Sequence, residues 1–78
     1  MYYCKTGVGT FWIRPHAEFP DRVRLGVDTT LLLSFHSPAA AAETVHARRT
    51  GWAAWDSRED LPAPRDLLDW TAGEFEGA

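Results

Sequence analysis

Hydrophobic and polar residues alternate with a period of two in three stretches of the first half of the chain. In Thr10-Phe11-Trp12-Ile13-Arg14, Phe11 and Ile13 fall on one side and Trp12 and Arg14 on the other. Pro15 has no N–H to give a ladder and stops that run. In Arg22-Val23-Arg24-Leu25-Gly26-Val27, the apolar positions Val23, Leu25 and Val27 alternate with the two arginines. In Thr30 to Phe35, Leu31, Leu33 and Phe35 face one way and Leu32 and Ser34 the other. Asp28-Thr29 is short enough to join the last two runs as a hairpin. The loop from Pro15 to Asp21 is rich in turn formers. Tyr2-Tyr3-Cys4 is cut off from the first run by Gly7 and Gly9 and reads as a separate short strand or an ordered arm. Together the runs predict a three-stranded antiparallel meander over about residues 10–36.

Beyond residue 36 the period changes. Ser37 is an N-cap residue, Pro38 takes the first helical position, and nothing from Ala39 to Arg49 breaks a helix, which predicts one from about Pro38 to Arg49. Its apolar stripe, Ala41, Ala42 and Val45, is built of small residues that let a helix lie close on a sheet. Arg48 and Arg49 complement the negative end of the dipole, and Gly51 supplies a left-handed residue to close the helix. From Trp52 to about residue 72, Pro62 and Pro64 enforce an extended path, and Arg65 to Trp70 makes one or two helical turns with Leu67 and Trp70 on one side. The prediction is an α+β fold in a single domain over residues 1–78. A three-stranded antiparallel sheet packs on one main α-helix, an extended or short-helical strap covers 52–72, and 73–78 forms a flexible end. The expected core is Phe11, Ile13, Val23, Leu25, Val27, Leu31, Leu33, Phe35, Ala41, Ala42 and Val45.

Size sharpens this picture. A chain of 78 residues exposes roughly 4,800 Å² folded against roughly 12,800 Å² unfolded, so roughly 8,000 Å² is buried. If about 60% of that is apolar, burial contributes about 120 kcal/mol at ~25 cal/mol/Å², against about 115 kcal/mol of ordering cost. The core has no surplus, so most of the ten aromatics, four of them Trp, are expected inside. The single cysteine, Cys4, excludes an internal disulfide and a cysteine-rich zinc site, and fits a reducing compartment. Met1 to Lys5 lacks the features of a secretory leader, and no stretch approaches a membrane span, so a cytoplasmic location is expected. The net charge of −3 is uneven. Residues 1–55 hold six Lys/Arg against four acids, a balance of +2, and residues 56–78 hold two Arg against seven acids, a balance of −5. The acidic segment either stays solvated or folds back to mask the basic body.

Two surfaces stand out. The outer face of the meander would gather Trp12, Arg14, Arg22, Arg24, Leu32 and Ser34, arginines beside an aromatic being a recurring surface for phosphate and base contacts. A burial reading stands beside it, in which the strap covers Trp12 and Leu32 and its carboxylates pair with the arginines. The second surface is Thr50-Gly51-Trp52 with Trp55-Asp56, either core plugs around a helix end or an aromatic wall for a peptide or ligand. His16, His36 and His46 lack ligand spacing, and only Cys4 could join them on a metal. Ser34, His36 and Asp28 come without a nucleophile elbow or oxyanion turn. Gly7-Val8-Gly9 lacks the strand-to-helix setting of a nucleotide loop. The sequence therefore predicts no catalytic, cofactor-binding or metal-ligating residues and no enzyme.

Three segments carry a resemblance: Tyr3-Cys4-Lys5-Thr6-Gly7-Val8-Gly9-Thr10-Phe11-Trp12-Ile13-Arg14-Pro15, Phe35 to Ala42, and Thr50-Gly51-Trp52-Ala53-Ala54-Trp55-Asp56. In these the chain resembles a family of small, stand-alone bacterial proteins, a likeness that implies no activity. The junction Leu33-Ser34-Phe35-His36-Ser37-Pro38 followed by four alanines is similar in architecture to the plant-type AP2 domain. That likeness implies a three-stranded sheet before a helix, with sheet arginines and tryptophans contacting DNA. The expectation drawn from the whole chain is a non-catalytic interaction or regulatory module with a protein partner. A nucleic-acid-binding module using the Trp/Arg face of the sheet is the alternative, disfavoured by the net charge.

Overall fold

A computed structural model describes residues 1–73. Five strands form one antiparallel sheet: β1 (Tyr2–Thr6), β2 (Gly9–Pro15), β3 (Val23–Val27), β4 (Thr30–Phe35) and β5 (Thr71–Ala72), in the order β4-β3-β2-β1-β5. The three-stranded sheet expected from periodicity is thus corrected to five, within the α+β class. Tyr2-Tyr3-Cys4 belongs to a full strand because Gly7-Val8 is a tight reversal and not a break. Thr6 pairs with Gly9, the Thr6 hydroxyl donates to the Gly9 carbonyl at 2.7 Å, and the same oxygen accepts from the Val8 amide. β5 is two residues long, too short to leave a periodic signal. It pairs Thr71 with Tyr3 and Ala72 with Tyr2, and the Gly73 amide donates to the Met1 carbonyl at 2.9 Å.

The helix α1 (Pro38–His46) begins as the sequence predicts. Ser37 is extended at the cap, its hydroxyl accepts from the Ala40 amide at 3.1 Å, and Pro38 sits in the first turn. It ends three residues before Arg49. The Arg48 amide donates to Val45 O and the Arg49 amide to Thr44 O, each at 3.1 Å, the paired bonds of a Schellman closure. The left-handed position there is Arg48, with φ 57°, and not Gly51. Gly51 does have a positive φ of 81°, but it serves the next turn.

The inner face of the sheet carries Phe11, Ile13, Leu25 and Val27, and α1 lays Ala41, Ala42 and Val45 against them. The strap completes this core. After α1 come a single-turn helix α2 (Ala53–Asp56), the proline-bearing extended stretch, and a 3-10 turn at Leu67–Asp69. Trp55 is fully buried, 5.3 Å edge-to-face from Phe11, and its indole N–H donates to Val45 O at 2.9 Å. That bond is a second one on a carbonyl that the Arg48 amide already uses, and it ties the indole to the helix end. Trp70 is 6% exposed in the same cluster.

Three core expectations on β4 are corrected. Val23 pairs with Phe35 and Leu25 with Leu33, but Gly26 pairs with Leu31, so Leu32 is an extra residue, a β-bulge. The bulge shifts the phase of the strand. Leu32, expected outside, packs against the core, whereas Leu31 and Leu33 are 53% and 40% exposed. Phe35 and Val23 are half-buried at the margin of the core. The expected flexible end lies, apart from Gly73, outside the described residues. Among those described, no helix is long and apolar enough to cross a membrane.

Candidate interaction surface

The outer face of the sheet is built on Trp12. Its neighbour across the ladder is Gly26, and the indole lies so close over that glycine that a Cβ there would fall 2.0 Å from Trp12 Cζ2. The indole N–H donates to the Asp28 carbonyl at 2.8 Å, and the Arg14 guanidinium sits 4.8 Å from the ring centroid. Trp12 is consequently only 8% exposed. It is a lid on the sheet backbone, so the aromatic half of the expected Trp/Arg face is not available for stacking.

The arginine half is in place. Arg14 and Arg24 are direct cross-strand partners, and Arg24 in turn faces Ser34, so three side chains form one row across β2, β3 and β4. The ladder continues past the strand ends, the His16 amide donating to Arg22 O at 3.0 Å, which puts Arg22 beyond Arg24 on the same side by alternation. All three arginines are half-buried. The Arg24 Nε is buried with no hydrogen-bond partner. At the β4 side the sheet ends in an open edge whose residues, Thr30 to Phe35, carry no charge, and whose exposed leucines are Leu31 and Leu33. The bulge turns Leu31 to the face of Gly26, which three consecutive leucines do not signal, while Leu33 stays opposite Leu25 and is part-exposed on the outermost strand.

The second surface resolves into scaffolding. Asp56 accepts from the Thr50 amide (3.1 Å), the Thr50 hydroxyl (2.8 Å) and the Gly51 amide (2.9 Å), and Thr50 Oγ1 accepts from the Trp52 amide (3.1 Å). Thr50 is 1% exposed and Trp55 is fully buried, while Trp52 is half-buried, 6.0 Å edge-on from Phe11. The Thr-Gly-Trp and Trp-Asp elements are two ends of one clasp. Trp52 and Trp55 form no open aromatic wall.

The polar groups that resemble a catalytic inventory are dispersed. Asp28 accepts from the Thr10 amide at 3.0 Å and lies at the opposite end of β4 from His36. His16 Nδ1 accepts from the amides of Glu18 and Phe19 and organises the β2–β3 loop, and His46 Nδ1 donates to Pro64 O at 3.1 Å. Among the described residues no group of three or more His, Cys, Asp or Glu is placed to hold a metal ion. Burial, and secondarily the charge of Asp69, push the Cys4 thiol up, which keeps it protonated and weakly nucleophilic. A shallow cavity of about 390 Å³ is lined by Ala39, Glu43, Arg65, Asp66, Leu67 and Leu68.

Compared with family models, curated proteins and solved structures, the chain gives no match. Its function rests on the geometry alone.

Proposed function

We propose that the chain is a non-catalytic interaction module of the cytoplasm that takes an extended segment of a protein partner along the β4 edge. The observation that supports this reading is the open edge itself. An uncharged six-residue strand with two leucines exposed at 53% and 40% is the kind of template to which a peptide adds by main-chain hydrogen bonds, with side-chain contacts giving selectivity. The bulge at Leu32 interrupts the ladder, which shortens the stretch open to pairing and opposes indiscriminate edge-to-edge association. A reducing location fits the one thiol.

Retention of proteins from a cell extract on the immobilised full chain tests this. A partner is expected on the wild type and lost with Leu31→Lys combined with Leu33→Lys, because lysine on an edge blocks strand addition. Deuterium exchange at the β4 amides should slow when the isolated partner is added. A partner retained equally by the double variant, or amides protected elsewhere, would overturn the proposal.

A further inference from the structure

We propose that His16 is an acid-sensitive latch on the β2–β3 loop: its neutral imidazole holds the loop closed, and protonation releases it. His16 Nδ1 accepts from two amides, those of Glu18 at 3.1 Å and Phe19 at 3.3 Å. A nitrogen that accepts two N–H groups must keep its lone pair, so the ring is neutral with its proton on Nε2. An imidazolium carries a proton on both nitrogens and accepts nothing. Protonation at Nδ1 therefore breaks both bonds at once and leaves two N–H dipoles aimed at a positive charge. The latch and the proton compete for one lone pair.

The rest of the loop hangs on the same residue. The His16 amide donates to Arg22 O at 3.0 Å, the Arg22 amide donates to Phe19 O at 3.0 Å, and the Phe19 ring lies 5.0 Å from the imidazole. With Glu18 and Phe19 tied to Nδ1, the loop holds Pro20 and Arg22 in the wall of a cavity of about 170 Å³ that Ile13, Val23 and Pro38 also line. Release of the latch frees that wall. The charged and titratable groups around the ring are Glu18 and Asp21 of the loop, Arg14 two residues back on β2, Arg22 across the ladder and, beyond Arg22, His36 at the end of β4. Two carboxylates and two guanidiniums offset one another, which leaves the two amides as the groups that decide the outcome. Imidazole is the side chain that ordinarily changes charge between about pH 8 and about pH 5, so the response belongs in that window.

NMR of the isotope-labelled full chain across that window tests the latch. At the alkaline end the His16 ring should show the Nε2–H tautomer with Nδ1 bare. On acidification the Glu18 and Phe19 amides should move with the midpoint of the His16 ring and not with that of His36 or His46, and the methyls of Ile13 and Val23 should shift in the same step. His16→Asn keeps an acceptor for the two amides, as an Asx turn does, but has no proton to gain, so the step should vanish in a loop that stays closed. His16→Phe keeps a ring against Phe19 without an acceptor, so at the alkaline end its Glu18 and Phe19 resonances should already match those of the acidified wild type. Glu18→Gln should leave the step in place. Glu18 and Phe19 amides that stay still while the His16 ring titrates, or a step of the same size in folded His16→Asn, would overturn the proposal.

Discussion

Gly26→Ala is the smallest change that should unmake the outer face. The added Cβ would lie 2.0, 2.4 and 2.5 Å from Cζ2, Cε2 and Cη2 of Trp12, whereas carbon atoms rest about 3.5–4.0 Å apart. A retreat of about 1.5 Å exceeds what a rotamer tolerates, so the indole must swing away. That removes the hydrogen bond to Asp28 O, about 1 kcal/mol, and the contact under Arg14, about 0.5–1 kcal/mol. Re-exposing part of a ring that is 8% accessible costs about 1–2 kcal/mol more. Alanine returns about 0.5–1 kcal/mol because it loses less backbone entropy in a strand than glycine. The net loss is about 2–3 kcal/mol, or about 10–20 °C in melting temperature for a domain of this size.

Urea unfolding followed by circular dichroism gives the stability, and indole emission reports whether Trp12 has become wet. The decisive measurement is a double-mutant cycle. In a Trp12→Ala background the clash is gone, so Gly26→Ala should there be neutral or slightly stabilising. If it costs the same 2–3 kcal/mol, as estimated from the lost contacts, without Trp12, the glycine is needed for a reason other than the indole and the argument fails.

Three other outcomes follow from the helix end and the strap. Asp56→Ala strands three donors around the buried Thr50 and should cost about 2–4 kcal/mol, whereas Gly51→Ala, with nothing within 4 Å of its Cβ, should cost only the left-handed strain of about 1 kcal/mol; thermal melts of both variants compare them. Arg48→Gly should be more stable than Arg48→Ala by about 1 kcal/mol, since both lose the bond to Leu61 O and the contact 4.5 Å over Trp55 but only alanine keeps the strain at φ 57°; equal stabilities would remove the strain from the account. The Arg65 hydrogen bond and charge hold the Asp69 carboxyl below its ordinary range. The contribution of that pair is present above the ordinary carboxylate pKa and lost as pH falls through the lowered one, so Asp69→Asn should flatten the acid limb of a melting-temperature profile.

How much of this was legible depends on how each element advertises itself. The N-cap at Ser37, the small stripe of α1 and the cores of β2 and β3 are written in residue type and period, and the molecule follows them. β4 is not. A bulge changes which leucine faces inward without changing the composition, and three leucines in a row read equally well in either phase. The helix end misled for a related reason. Gly51 is the residue best suited to positive φ, yet α1 closes at Arg48, whose side chain reaches the Leu61 carbonyl and covers Trp55. Those long-range contacts, unavailable to glycine, hold an arginine in the left-handed position at a cost of about 1 kcal/mol. The motif around Trp52 and Trp55 was visible in the sequence, but only the three bonds to Asp56 reveal it as a clasp.

The acidic segment from Asp56 onward also takes on a definite role. Asp60, Asp66 and Asp69 bind donors within the strap, Arg58, the Leu68 amide and Arg65, and Asp56 ties the strap to Thr50 and Gly51 just before it. The two surface ion pairs among these, Arg58–Asp60 and Arg65–Asp69, contribute little to global stability, median about 0–1 kcal/mol, but with the carboxylate–amide bonds they fix the path of a segment that has only short helical turns of its own. Four of the five carboxylates in the described part of that segment are thus engaged close by in the chain, and Glu74 and Glu76 lie outside the described residues. With Trp12 closed over Gly26, the β4 edge, with Leu31 and Leu33 exposed, is the feature of the sheet on which the proposed partner segment depends. A segment added along β4 would lie one strand beyond Arg24, whose cross-strand partner on β4 is Ser34, so its selectivity is set by the leucines at the edge and by the polar row that starts at Ser34.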